Sequence, residues 1–148
     1  MPESGVFEQV ESRDRLRITF STCMANVDRA CDAAMEYLET RVPRIRPHLF
    51  AINLSMREGL TNAVRHGNRN DPEKLIILSL FMETRDVMCV SIQDQGDGFL
   101  WKEAPTGLPD DDADHGRGLA IIHAYCSEYR FNDAGNILTL KKKLTPLI

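Results

Sequence analysis

The chain has 148 residues, 43% of them hydrophobic and 27% charged, which suits one soluble domain able to bury roughly two thirds of the surface its unfolded form exposes. Its formal charge is -4 and no broad basic patch stands out, so direct binding of nucleic acid is not expected. No apolar run approaches the roughly 20 residues that span a bilayer, and the start MPESGVFEQVESRDR is too polar for a signal peptide, which predicts a cytoplasmic protein with no membrane partner.

Leu16 to Phe20 alternates apolar and polar residues, the period of a half-buried strand. From about Asn26 to Thr40, Val27, Ala30, Ala34 and Leu38 recur at steps of three and four, which predicts an amphipathic helix. Pro43 and Pro47 break the chain, and Pro47 suits the first turn of a second helix that should run to about His66 and end at Gly67. Leu75 to Met82 and Val87 to Ile92 are β-rich runs separated by Glu83-Thr84-Arg85-Asp86, which predicts an antiparallel hairpin. After Phe99 the period fails, and the stretch from Leu100 to His115 reads as a functional loop; its acidic run Asp110 to Asp112, with Asp114, reads as a solvated tip. A helix from about Gly118 to Tyr125, a strand near Glu128 to Asn132, a turn at Asp133-Ala134-Gly135 and a strand from Ile137 to Leu144 complete the order.

That order predicts a mixed, mostly antiparallel sheet with helices on one face: a two-layer α/β sandwich, one domain over residues 1–148 with its core at about 16–144. Cys23, Cys31, Cys89 and Cys126 form no C-x-x-C pair and are expected as reduced, mostly buried thiols. His123 and Cys126 share a helix face, but two ligands do not make a metal site, so they read as packing residues.

Three clusters carry chemistry. In the second helix, Leu49, Ile52, Met56, Leu60 and Ala63 form an apolar stripe, and Glu58, Asn62 and His66 line up beside it at i, i+4 and i+8. Gly59 lies between the two stripes, where a glycine costs about 1 kcal/mol relative to alanine but admits close approach of another group. Glu58 could orient or deprotonate a hydroxyl, and the Asn62 amide oxygen could ligate a Mg²⁺ held mainly by phosphates and water; the same residues also describe the solvated side of a surface helix. The second cluster, Asp94-Gln95-Gly96-Asp97-Gly98-Phe99, follows a strand, and its aspartate can accept from an exocyclic amine while the glycines let backbone pass close to a flat ring. A calcium loop does not fit, because Pro105 stands where an EF-hand needs its closing glutamate. The third, Gly116-Arg117-Gly118-Leu119, opens a helix whose free N–H groups, with Arg117, make a phosphate cradle. Neither a Rossmann nor a P-loop pattern is complete.

In this order and spacing the three clusters resemble the N, G1 and G2 boxes of the GHKL ATPase superfamily, the Bergerat fold of histidine kinases, gyrase and MutL, over about residues 16 to 144. Within it, a lone domain with E-G-L-T-N-A-V-R-H-G, D-Q-G-D-G-F and H-G-R-G-L is similar to the bacterial anti-sigma factor serine/threonine kinases. The resemblance implies ATP and Mg²⁺ as cofactors, with Glu58 as general base, Asn62 on Mg²⁺, and Asp94 on the adenine amine. It further implies that Gly96 and Gly98 shape the adenine pocket and that His66 and Gly67 border the nucleotide. Gly116, Arg117, Gly118 and Leu119 would then hold phosphates beneath a lid of roughly residues 100 to 115. The implied partners are an anti-sigma factor antagonist as phosphorylation substrate, a sigma factor or similar regulator, and a second copy in a homodimer. One departure is visible: the family's Gly-Thr entering the last strand is here Gly135-Asn136. A nucleotide-gated binding module that transfers nothing is the alternative, because every box residue except Glu58 serves binding as well as catalysis.

Overall fold

The structure, a computed structural model, describes residues 5–97 and 120–144. The segment expected as a lid at 100–115, together with Gly98, Gly116, Arg117, Gly118 and Leu119, lies outside the described residues.

The first strand in the chain is one that periodicity did not announce. β1, Phe7–Glu11, pairs antiparallel with β2, Arg15–Ser21, in the register Phe7↔Phe20 to Glu11↔Leu16. Only Phe7 of β1 packs against the core, its ring centroid 6.0 Å from that of Phe20 and 3.8 Å from the Arg29 guanidinium carbon that lies over it. In β2 the expected alternation appears directly: Leu16, Ile18 and Phe20 are fully buried.

Helix α1, Met24–Arg41, lays Val27, Ala30, Cys31, Ala34 and Leu38 on the sheet at helical spacing. Between it and the next helix, Pro43–His48 forms tight 3₁₀ turns, so Pro47 lies ahead of helix α2 rather than in its first turn. The two prolines and the fully buried Ile45, whose N–H donates to Val42 O, favour the narrower winding here. Helix α2, Leu49–Asn62, does not continue as α-helix to His66: Ala63–Gly67 is a π turn, closed by Asn68 N donating to Ala63 O at 2.8 Å.

β3, Leu75–Thr84, and β4, Val87–Gln93, make the expected hairpin, with a bulge between Met82 and Thr84. Residues 120–125 are helical, here α3, and bury Ile122. β5, Glu128–Phe131, turns through Gly135, whose φ of 79° favours glycine, into β6, Ile137–Lys143.

The strand order is β1-β2-β3-β4-β6-β5 and each pairing is antiparallel. Leu16, Ile18, Phe20, Ile76, Leu78, Leu80, Met88, Val90, Ile92, Leu138 and Leu140 project from one face and meet the buried faces of the helices in a single core. The two-layer α/β sandwich expected from the order of elements is therefore the observed architecture. All four cysteines are free thiols, Cys31 and Cys89 buried, and burial pushes the Cys31 thiol up to about 11. His123 stacks edge-on against Tyr129, and Cys126 packs on the core. Among the described residues no helix is long and apolar enough to cross a membrane.

Candidate functional site

Where α2 crosses β4 and β6 the helix comes unusually close to the sheet, and Gly59 permits it. A Cβ there would lie 2.6 Å from Ile92 Cδ1 and 3.1 Å from Leu138 Cδ2. One turn further on, the same junction opens into a small solvent-accessible cleft. Ile92, Leu138 and Phe131 give it an apolar floor; Gly59, Asn62, Ala63, His66 and Gly67 form the helix wall; Asp94, Gly135 and Asn136 close the strand end.

Asp94 leaves β4 beside the π turn and is held tightly. Its N–H donates to Asn136 O at 3.0 Å and its Oδ1 accepts from Gly96 N at 2.8 Å. Burial raises the Asp94 carboxyl above its ordinary 3.8, against the opposing pull of the Gly96 N–H and the Lys74 charge. Gly67 and Gly96 are required by this packing: a Cβ on Gly67 would overlap the Asp94 carboxylate, and one on Gly96 would overlap the Gly67 carbonyl oxygen. The buried carboxylate is thus pressed against the end of the helix wall with no room for any other residue at either position.

Asn68 fastens the junction and was not among the residues singled out in the sequence. It is fully buried; its Nδ2 donates to Thr22 Oγ1 at 2.8 Å and to Leu75 O at 3.1 Å, while its Oδ1 accepts from Gln95 N at 2.8 Å. Gln95 Oε1 in turn accepts from Leu75 N at 2.7 Å, so the exits of β2 and β4, the start of β3 and the π turn are tied at one amide. An asparagine following His66-Gly67 carries no periodic signal of burial, and only the π turn turns it inward.

The structure brings Asn62, His66, Gly67 and Asp94 to one cleft, with Gly96 packed behind Gly67. Glu58 sits on α2 one turn before Asn62, half-buried, and is not part of the lining. Phe131 from β5 and Gly135 and Asn136 from the turn into β6 complete the cleft, a part of the chain that the three motif clusters do not include. Asn62 Nδ2 is buried without a hydrogen-bond partner among the described residues, an uncommon cost at the wall of an open cleft. Among the described residues no three His, Cys, Asp or Glu side chains gather as a metal site. The orphaned Nδ2 is a donor and cannot ligate a cation; only the amide oxygen of Asn62 has the chemistry to do so, as one ligand to a cation held mainly by phosphates and water.

An apolar floor and a fixed, buried acceptor at one end match a flat heteroaromatic ring bearing an exocyclic donor. The family model described as histidine kinase-like ATPase domain matches residues 20–142, from the end of β2 to the last strand, and carries ATP binding with it. No curated protein matches the chain.

Proposed function

The chain belongs to the histidine kinase-like ATPase domain family, and from that premise we propose that it is an ATP-dependent serine/threonine protein kinase of the anti-sigma factor type. Its substrate is a small anti-sigma factor antagonist, and it also binds a sigma factor or a similar regulator. The observation that carries the reading is the buried Asp94 carboxylate, pinned by Gly96 and crowded by Gly67 at the end of the apolar cleft.

In this reading the adenine ring lies over Ile92, Leu138 and Phe131, with its amine on Asp94, and His66 and Gly67 border the nucleotide. Asn62 would hold Mg²⁺, which when bound neutralises phosphate charge. By the motif resemblance, Gly116, Arg117, Gly118 and Leu119 would hold phosphate oxygens and Gly98 would shape the adenine pocket. Phosphoryl transfer passes through a loose transition state, so positioning and charge neutralisation carry most of the acceleration, and Glu58 adds a smaller contribution by taking the proton of the acceptor hydroxyl. Glu58→Gln should retain ATP binding and lose transfer to the antagonist by about 100-fold or more, the usual scale of general-base catalysis. Transfer at the parent rate would remove Glu58 from the mechanism.

One observation favours a second reading. Glu58 lies outside the cleft lining, as it would in a nucleotide-gated module that captures a regulator and transfers nothing. Partner affinity that follows ATP occupancy, with no phosphoprotein formed, would select that reading.

A further inference from the structure

At the strand end of the cleft, Asn136 of the lining is paired with Asn132 behind it, and their amide orientations are dictated by the backbone. Asn132 Oδ1 accepts from two main-chain donors, Asn136 N and Ile137 N, each at 3.0 Å. A backbone N–H can only donate, so the oxygen of Asn132 must face the turn and its Nδ2 must face the other way. That Nδ2 donates to Asn136 Oδ1 at 2.9 Å. The Asn136 amide is therefore oriented in its turn: its oxygen is taken by Asn132, and the donor end, Nδ2, is what it has left to offer. Gly135 N donating to Asn132 O and Asn132 N donating to Ile137 O hold the turn that carries the pair.

Asn136 lies directly across the ladder from Asp94. Gln93 and Ile137 are the last paired residues of β4 and β6, and the next step is bonded by Asp94 N and Asn136 O at 3.0 Å. Both residues line the cleft. Side chains opposite each other on neighbouring strands stand roughly 5 Å apart at Cβ, so an acceptor and a donor are presented side by side.

We propose that Asn132 is a positioning residue that fixes the hydrogen-bonding sense of Asn136, and that the resulting acceptor–donor pair selects a 6-aminopurine over a 6-oxopurine. The inference rests on the nucleotide reading above and adds its base specificity. The adenine edge offers an amine donor at position 6 and a lone pair at N1, the complement of an Asp94 oxygen beside an Asn136 N–H. A guanine or hypoxanthine edge offers the reverse, an oxygen at position 6 against the carboxylate and an N1–H against the amide donor. Each mismatch leaves a buried polar group facing its own kind, which is where large discrimination comes from.

The test is calorimetric titration of the full chain with ATP, GTP and 1-deaza-ATP, in which a C–H replaces N1, for the parent and for Asn132→Asp. An aspartate at 132 still accepts from both backbone N–H groups but presents an acceptor where Nδ2 stood, so the Asn136 amide turns over and sends its oxygen toward the cleft. The parent should bind ATP about tenfold more tightly than 1-deaza-ATP, the scale of one hydrogen bond, and far more tightly than GTP. In Asn132→Asp the preference for ATP over 1-deaza-ATP should vanish; a structural role alone would weaken both nucleotides and keep the ratio. Asn136→Ala should also abolish the ratio and serves if the aspartate variant does not fold. A parent that binds ATP and 1-deaza-ATP equally, or an Asn132→Asp protein that keeps the tenfold ratio, overturns this inference alone. A parent that binds no adenine nucleotide overturns the nucleotide reading beneath it.

Discussion

Replacing Asp94 by asparagine separates the cost of the site from its use. Asp94 is 9% exposed, and the pKa of its carboxyl is raised chiefly by desolvation, so the ionised form is unfavourable for folding. In Asp94→Asn the side-chain oxygen can keep the bond from Gly96 N, seen at 2.8 Å in the parent, while the amide NH₂ replaces the oxygen left for a ligand. Two consequences of opposite sign follow. A charge-assisted hydrogen bond to the adenine amine, about 1.5 to 3 kcal/mol, is lost and replaced by facing donors, so ATP affinity should fall at least about 10- to 150-fold. The melting temperature should hold or rise, because no buried charge remains. Calorimetry with ATP and Mg²⁺, alongside thermal unfolding of both proteins without nucleotide, reads the two effects separately. Affinity within twofold of the parent would refute the assignment of Asp94 to the base; a large drop in melting temperature would refute the claim that this carboxylate is costly to the fold.

The same group sets a pH dependence. Adenosine, which carries no phosphate, should lose affinity as the pH is lowered through the raised Asp94 pKa, above the usual 3.8, and the profile should flatten in Asp94→Asn. The contribution of Asp94 to stability runs the other way: the folded state holds the proton more tightly, so its favourable contribution is full below 3.8 and is lost as the pH rises through the raised value. Denaturant titrations of parent and Asp94→Asn across that window check the sign. Asn68→Ala removes three side-chain hydrogen bonds at a fully buried position and should cost about 3 kcal/mol in urea unfolding, with weaker ATP binding as Gln95 loosens; a loss under about 1 kcal/mol would contradict its role as the fastening point.

What the sequence made legible is what periodicity encodes. Leu16, Ile18 and Phe20 alternate because one face of β2 meets the helices, and Val27 to Leu38 repeat at helical spacing for the same reason. β1 was invisible because a strand at the sheet edge with one residue against the core, Phe7, has no alternation to show. Asp94, Gly67 and Asn62 stood out as residue types suited to chemistry, and they do share a cleft. Asn68 and Asn132 did not: their work is to satisfy backbone and amide groups brought together by the π turn and by the β5–β6 turn, and neither turn has a sequence period. The close pass of α2 over the sheet was foreshadowed by the cost of a helical glycine at Gly59, although what would approach it, Ile92 and Leu138, could be named only from the register of β4 with β6.

Isotope-edited NMR of the chain with bound ATP offers the most direct view of the cleft. Nuclear Overhauser contacts from the adenine ring protons should appear to the methyl groups of Ile92 and Leu138, which form the floor beside Asp94. Adenine contacts confined to methyl groups elsewhere, or none to either residue at saturating ATP, would contradict the placement of the base on which the account depends.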